Sequence, residues 1–349
     1  MLPVRRILVP AGAAAIVAGS LAVSAPVFAS RQGTPKTGRA GIATLTPAKL
    51  AADLRKAAGI RRVPSNLKPS LSAAAGDVPV IRKNGCQLEF GPVNSRPCVY
   101  GDTASHTSVI LFGDSHAAAW FSALNAISKQ HHWRLLIFVK SACPAEEVDV
   151  VRNGVLYADC PVWRSNTEQA IEELDPALVV VASRQYITEM RPEAGVPTGH
   201  GGTWQNGVAA IFSFLRHAAK HTLYVTDDPT LTRSAPECAS RHRSDVRRCS
   251  VSTARGLRYP QYTADELRIA TEQHISAVNA DSWFCTSTIC PPIVKNILLY
   301  RDDQHMTPEW SSFLTPLLDA AVSRAMNAGL RGVQRADLRT RAVRPERRL

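Results

Sequence analysis

Ser115, Asp302 and His305 are the residues of this chain whose types and spacing point most directly to chemistry. Ser115 stands in Gly113-Asp114-Ser115-His116, behind an apolar run of β-formers and ahead of Ala117-Ala118-Ala119. That order reads as strand, tight turn and helix start. Gly113 permits the sharp turn. Ser115 then falls where the first free N–H groups of a helix point outward and can hold an anion. A serine nucleophile needs that setting, because its tetrahedral intermediate carries an oxyanion. Asp302 and His305 follow a second apolar run, Ile297-Leu298-Leu299-Tyr300, and lie three residues apart. One helical turn at that spacing brings the carboxylate to the imidazole. His305 would take the serine proton and Asp302 would orient the ring. Alone, Ser115 also reads as an ordinary helix N-cap; Asp302 and His305 favour the nucleophile. Asp303 is poorly spaced to orient His305. His116 diverges from Ser115 as a sequence neighbour, so it reads as a residue that packs or hydrogen-bonds locally. Asp114 reads either as a helix cap or as a solvent-facing turn residue.

These motifs resemble the SGNH hydrolase superfamily, in which Gly-Asp-Ser supplies the nucleophile and a C-terminal Asp-x-x-His supplies acid and base. The nearer resemblance is to the SGNH domain found fused to bacterial acyltransferase-3 membrane proteins. It rests on Gly113-Asp114-Ser115-His116-Ala117, Lys140-Ser141-Ala142-Cys143-Pro144 and Asp302-Asp303-Gln304-His305, and spans roughly residues 63–328. The resemblance implies a flavodoxin-like three-layer α/β/α sandwich with a parallel sheet. It also implies an oxyanion hole built from a glycine after the second strand and an asparagine after the third. This chain departs at both places, with Ser141-Ala142-Cys143 and Ser183-Arg184-Gln185-Tyr186. The backbone N–H groups of Ser141 and Ala142 and the side chain of Arg184 are therefore the candidate donors. Arg184 matches an arginine common in the fused-domain family; the rival reading is an ion pair with Asp227 or Asp228.

The elements that must position these residues alternate along the chain. Strands are expected at 109–112, 133–139, 177–182, 222–226 and 297–300, and helices at 117–129, 204–220, 263–280 and 307–328. Such βαβ alternation implies a doubly wound parallel sheet, with ligands bound at the carboxyl ends of its strands. Ser115, residues 140–144, residues 183–186, Asp227-Asp228 and residues 302–305 all follow strand ends and so converge on one rim. A short helix is expected from Thr46 to Ala58, followed by a proline-punctuated lead-in. Gly199-His200-Gly201-Gly202 lacks the preceding strand and lysine of a phosphate loop and reads as a lid or linker. Trp204 and Trp283 are read as core residues rather than sugar-stacking ones.

At 349 residues and 45% apolar content the chain can hold one large α/β domain with tails. The expected organisation is 1–29 signal peptide, 30–80 linker and lead-in, 81–328 catalytic domain and 329–349 basic tail. The first segment opens with Arg5-Arg6, runs apolar and ends in Val27-Phe28-Ala29 before Ser30. An uncleaved membrane anchor is the rival reading. The arginine-rich tail carries part of the net charge of +12; it reads as disordered, or as a contact for an anionic envelope surface. Nucleic acid is excluded as a partner by export and the lack of a binding motif.

Eight cysteines agree with an oxidising compartment. The simplest pairing joins neighbours: Cys86 with Cys98, Cys143 with Cys160, Cys238 with Cys249, and Cys285 with Cys290. Eight cysteines allow about 105 pairings. Zinc is the rival, but no Cys-x-x-Cys occurs and the histidines lie elsewhere. No metal or other cofactor is expected. The function expected is that of an extracytoplasmic serine O-acyltransferase or esterase acting on O-acyl groups of envelope glycans. A transferase needs a separate membrane acyltransferase as acyl donor. The alternatives are a stand-alone carbohydrate or lipid esterase and a non-catalytic glycan-binding module on the same fold.

Overall fold

The computed structural model describes residues 45–96, 98–190 and 203–341. The expected signal or anchor segment, the first part of the linker, the Gly199-His200-Gly201-Gly202 loop and residues 342–349 lie outside these. No helix among the described residues is long and apolar enough to cross a membrane.

The central sheet contains β1 (Gln87–Leu88), β2 (Val99–Gly101), β3 (Ser108–Gly113), β4 (Arg134–Lys140), β5 (Leu178–Ala182), β6 (Thr222–Val225) and β7 (Ser276–Val278). Its order is β1-β4-β3-β5-β6-β7, all parallel, with β2 added antiparallel to β4. The order reverses around β3, so Ser115 leaves the sheet at a topological switch point, where open α/β sheets bind ligands. All residues of β3 and β5 are buried. Their alternate side chains feed two separate cores: Val109, Leu111 and Val180 on one face, Ile110, Phe112, Val179 and Val181 on the other. This two-sided burial explains their unbroken apolar runs.

Helices cover both faces: α1 (Pro47–Ala57), α2 (Ser115–Ala119), α3 (Phe121–Gln130), α4 (Asp159–Leu174), α5 (Trp204–Ala218), α6 (Pro260–Glu272), α7 (Pro308–Phe313) and α8 (Thr315–Arg341). The single helix expected behind the first strand is two, joined at Trp120. The helix expected over 263–280 ends at Glu272; His274 adopts a positive φ of 60°, and the chain returns as edge strand β7. Helix α4 is absent from the sequence reading. Its apolar signal is weak because Val162 faces solvent and buried Arg164 and Thr167 face the core.

The expected fifth strand is also corrected. Ile297–Leu298 pairs antiparallel with Ile293–Val294 in a separate hairpin, and β7 takes the sheet edge. The stretch read as lead-in is built into the domain: α1 buries Leu50 and Leu54, and Lys295 pairs with Asp53 at 2.9 Å. Lys68 N–H donates to Asn296 O, and Leu298 N–H donates to Lys68 O. The N-terminal segment thus braces the hairpin that leads into Asp302 and His305. At the other end α8 runs to Arg341, so the expected disordered tail begins as helix. The four disulfides join the neighbouring cysteines as expected.

Candidate active site

The turn after β3 places the nucleophile candidate. Gly113 has φ 142°, and a Cβ there would lie 2.0 Å from Ala182 O, so no larger residue fits this close approach of β3 to the end of β5. Asp114 then caps α2, accepting the His116 N–H at 2.7 Å. It is no solvent-facing turn residue. Its carboxylate is fully buried and also accepts the Tyr186 hydroxyl at 2.7 Å and the Arg184 N–H at 3.2 Å. One side chain therefore ties the nucleophile turn to the segment after β5.

Ser115, Asp302 and His305 come together although up to 190 residues separate them. Ser115 Oγ donates to His305 Nε2 at 2.9 Å, and His305 Nδ1 donates to Asp302 Oδ2 at 2.8 Å. The carboxylate fixes the tautomer that leaves Nε2 free to accept. The spacing of three works, but not by a helical turn: residues 302–305 form a loop in which Asp302 Oδ1 accepts the N–H groups of Gln304 at 2.9 Å and His305 at 2.7 Å. Arg301 adds an ion pair to Asp302 Oδ2 at 3.3 Å. Burial would raise the Asp302 pKa, but the His305 bonds outweigh it and hold the carboxyl well below its usual range. Burial pushes the His305 pKa down; Asp302 opposes that shift, and the charge of nearby His116 adds to it. Asp303 is exposed and contributes its backbone O to Leu231 N–H.

The oxyanion candidates separate. Ser141 N–H donates to Leu88 O at 2.7 Å, continuing the β1–β4 pairing, and its hydroxyl accepts from buried Gln87. Its N–H is thereby engaged. Ala142 follows with φ 55°, a left-handed conformation that favours glycine, and it lines the cleft with Ser115. The expected glycine is missing as a residue type, while Ala142 takes a backbone conformation that glycine favours. Arg184 lines the same cleft, but its ion pair is with Glu189 at 2.5 Å rather than with Asp227 or Asp228. The cleft has a volume of about 410 Å³, with Arg82, Glu89, Phe90 and Arg152 on its outer wall. The Arg152 guanidinium lies over the Phe90 ring at 3.7 Å.

Three interactions were not foreseen from the sequence. His116 reaches across the sheet edge: its Nδ1 donates to Asp228 Oδ1 at 2.8 Å and lies 2.8 Å from Asp227 Oδ1. Tyr186 anchors Asp114, as described. Glu266, fully buried, accepts from Gln185 at 2.8 Å and from Trp204 Nε1 at 2.7 Å. The position of Asp227-Asp228 at a strand end was the available signal for the first. Trp204 and Trp283 are buried, as expected of core residues.

A parallel α/β sheet with a Ser–His–Asp set at the carboxyl ends of its strands defines an SGNH-type fold. A family model described as "SGNH domain (fused to AT3 domains)" matches residues 85–320, and the chain belongs to that family. Among solved structures, it is similar to the periplasmic domain of a Salmonella ser. Paratyphi A lipopolysaccharide acetyltransferase, at 16% identity over 70% of this chain and 86% of that one, with a TM-score of 0.47. It is also similar to an acetyl-xylooligosaccharide esterase from Geobacillus Stearmophilus, at 11% identity over 64% of this chain and 96% of that one, with a TM-score of 0.36. No curated protein matches the sequence.

Proposed function

We propose that the chain is an extracytoplasmic serine O-acyltransferase that moves small acyl groups onto envelope glycans through an acyl-Ser115 intermediate. The observation that carries this reading is the hydrogen-bonded line from Ser115 Oγ through His305 to Asp302, at 2.9 and 2.8 Å. Ser115 Oγ attacks the acyl carbonyl while its proton passes to His305 Nε2. Asp302 stabilises the imidazolium. The oxyanion is held by the N–H groups of Ser115 and Ala142, with the Arg184 side chain at the cleft wall. His305 returns its proton to the leaving alcohol. It then deprotonates the acceptor hydroxyl, which takes the acyl group and frees Ser115.

The polar and charged side chains of Arg82, Gln87, Glu89, Arg152, Asn153 and Gln304 along the cleft support a hydroxyl-rich substrate, with Phe90, Val150 and Val151 offering apolar contacts to a sugar ring or a short acyl chain. Family membership supports an acyl donor of the membrane acyltransferase-3 type. The four disulfides support an oxidising compartment. The test is to incubate the mature protein with p-nitrophenyl acetate, with and without envelope glycans. Slow hydrolysis and a mass gain of one acetyl on a glycan are expected. Ser115→Ala should lower both by about 10³-fold or more. Efficient hydrolysis of long-chain esters with no glycan acylated would establish a lipase-like esterase instead.

A further inference from the structure

His116 is the sequence neighbour of the nucleophile, yet its side chain turns away from the cleft and is 2% exposed. It meets Asp227 and Asp228, which follow β6, at 2.8 Å each. Asp227 also accepts the Gln185 N–H at 3.0 Å, and Asp228 is buried. Two adjacent carboxylates withdrawn from water need a cation, and the imidazolium supplies it. On its other side the His116 ring stands against His305, with centroids 5.1 Å apart and planes tilted by 54°. We propose that His116, clamped by Asp227 and Asp228, is a positioning residue for His305: it packs against the ring and keeps a positive charge beside it, so that Nε2 stays unprotonated and able to accept from Ser115. The proposal rests on the reading of His305 as the base.

The charges around both rings support this assignment. Burial disfavours a charged His116, but Asp227 and Asp228 outweigh it and hold the proton well above the ordinary histidine range. Around His305 stand Asp302 and Arg301 on its own loop, Ser115 and His116 on the nucleophile turn, and Arg184 with Glu189 and Arg82 with Glu89 at the cleft wall. Asp302 favours protonation of His305, whereas burial, His116 and Arg301 oppose it. A like charge next to an ionisable group disfavours its charged form. Asp281 and Tyr300 also interact with the carboxylate pair; burial raises Asp281 to about 6 and holds the Tyr300 hydroxyl protonated. The sequence places a titratable histidine directly after the nucleophile, and the fold gives it a fixed charge state.

The measurement is imidazole NMR of the whole protein from pH 5 to 8, with assignments from His116→Gln and His305→Gln. In the wild-type protein His116 should show the imidazolium pattern throughout, while His305 is largely neutral at pH 6.5. In His116→Gln, His305 should titrate about one unit higher, and the acid limb of kcat/KM for p-nitrophenyl acetate should rise with it. A purely structural role for His116 would lower activity at every pH and leave that limb in place, which overturns the proposal. So does a His116 that loses its proton near pH 6.5 in the wild-type protein, a result that stands even if the variant fails to fold. The NMR arm needs no turnover. Its outcome is therefore separate from the effect of Ser115→Ala, which tests the acyl-serine reading itself.

Discussion

At the scale of single residues, the site depends on which carboxylate holds the imidazole. Asp302 accepts from His305 Nδ1 and from two backbone N–H groups, whereas Asp303 is exposed. Asp302→Asn should therefore lower kcat by about 10³- to 10⁴-fold, since the amide favours the wrong tautomer. Asp303→Asn should stay within a few-fold of wild type. Parallel rate measurements on the two variants check the assignment, and equal losses would move the orienting role to Asp303. With His305 as the base, burial that lowers its pKa should set the pH dependence of activity. A base with lowered affinity for protons stays competent at lower pH, so the acid limb of kcat/KM should fall below the ordinary histidine value of 6.5. Ser115, Asp302 and His305 were legible because each stands at the end of an apolar run. The roles of His116 and Tyr186 were not. Both act through partners about 70 or more residues away, Asp228 and Asp114, which no local pattern announces.

At the scale of elements, strands β3 and β5 are legible because burial on both faces leaves uninterrupted apolar runs. Edge strand β7 was not. It has three residues, none fully buried, and so carries no hydrophobic alternation. The helix at 46–58 is legible from its Thr-Pro start and apolar spacing, but its docking onto the domain is not, because the hairpin at 293–298 that covers it lies more than 200 residues away. Because α1 buries Leu50 and Leu54 against that hairpin, removing residues 45–79 should destabilise the loop that carries Asp302 and His305. Leu54→Ala alone should cost about 2–5 kcal/mol. Chemical denaturation of that variant, read with esterase activity, tests the bracing. A loss of less than about 0.5 kcal/mol would show that α1 is an appendage. Ala142 offers an element-level test of another kind. Ala142→Gly relieves a left-handed alanine, worth about 1–2 kcal/mol, and should leave activity intact.

At the scale of the whole molecule, the fold seals several acids beneath the active-site rim. Burial raises Glu266 to about 8 and Glu146 to about 7. Each therefore holds a proton in the folded state that it would release when unfolded above its ordinary value of 4.5. A raised folded pKa stabilises the protein at low pH. That contribution falls as pH rises from about 4.5 and is gone above about 8. His116, also raised, acts in the same direction. Thermal unfolding should therefore show a lower Tm at pH 9 than at pH 6, and Glu266→Gln should flatten the decline. A Tm that rises over this range would show that these carboxyls are charged in the folded state. The four disulfides close short loops within the domain and should each stabilise it by about 2–3 kcal/mol; non-reducing peptide mapping should recover all four.

Every step proposed for the site passes through an acyl group on Ser115. The most direct measurement is intact-protein and peptide mass spectrometry after brief reaction with an activated acetyl ester followed by rapid acid quench, and in parallel with a fluorophosphonate. A single adduct is expected on the peptide containing Gly113-Asp114-Ser115-His116, absent from Ser115→Ala and markedly slower to form in His305→Gln. A protein that forms no adduct with either reagent, or one labelled elsewhere while Ser115→Ala reacts like wild type, would contradict this role of Ser115.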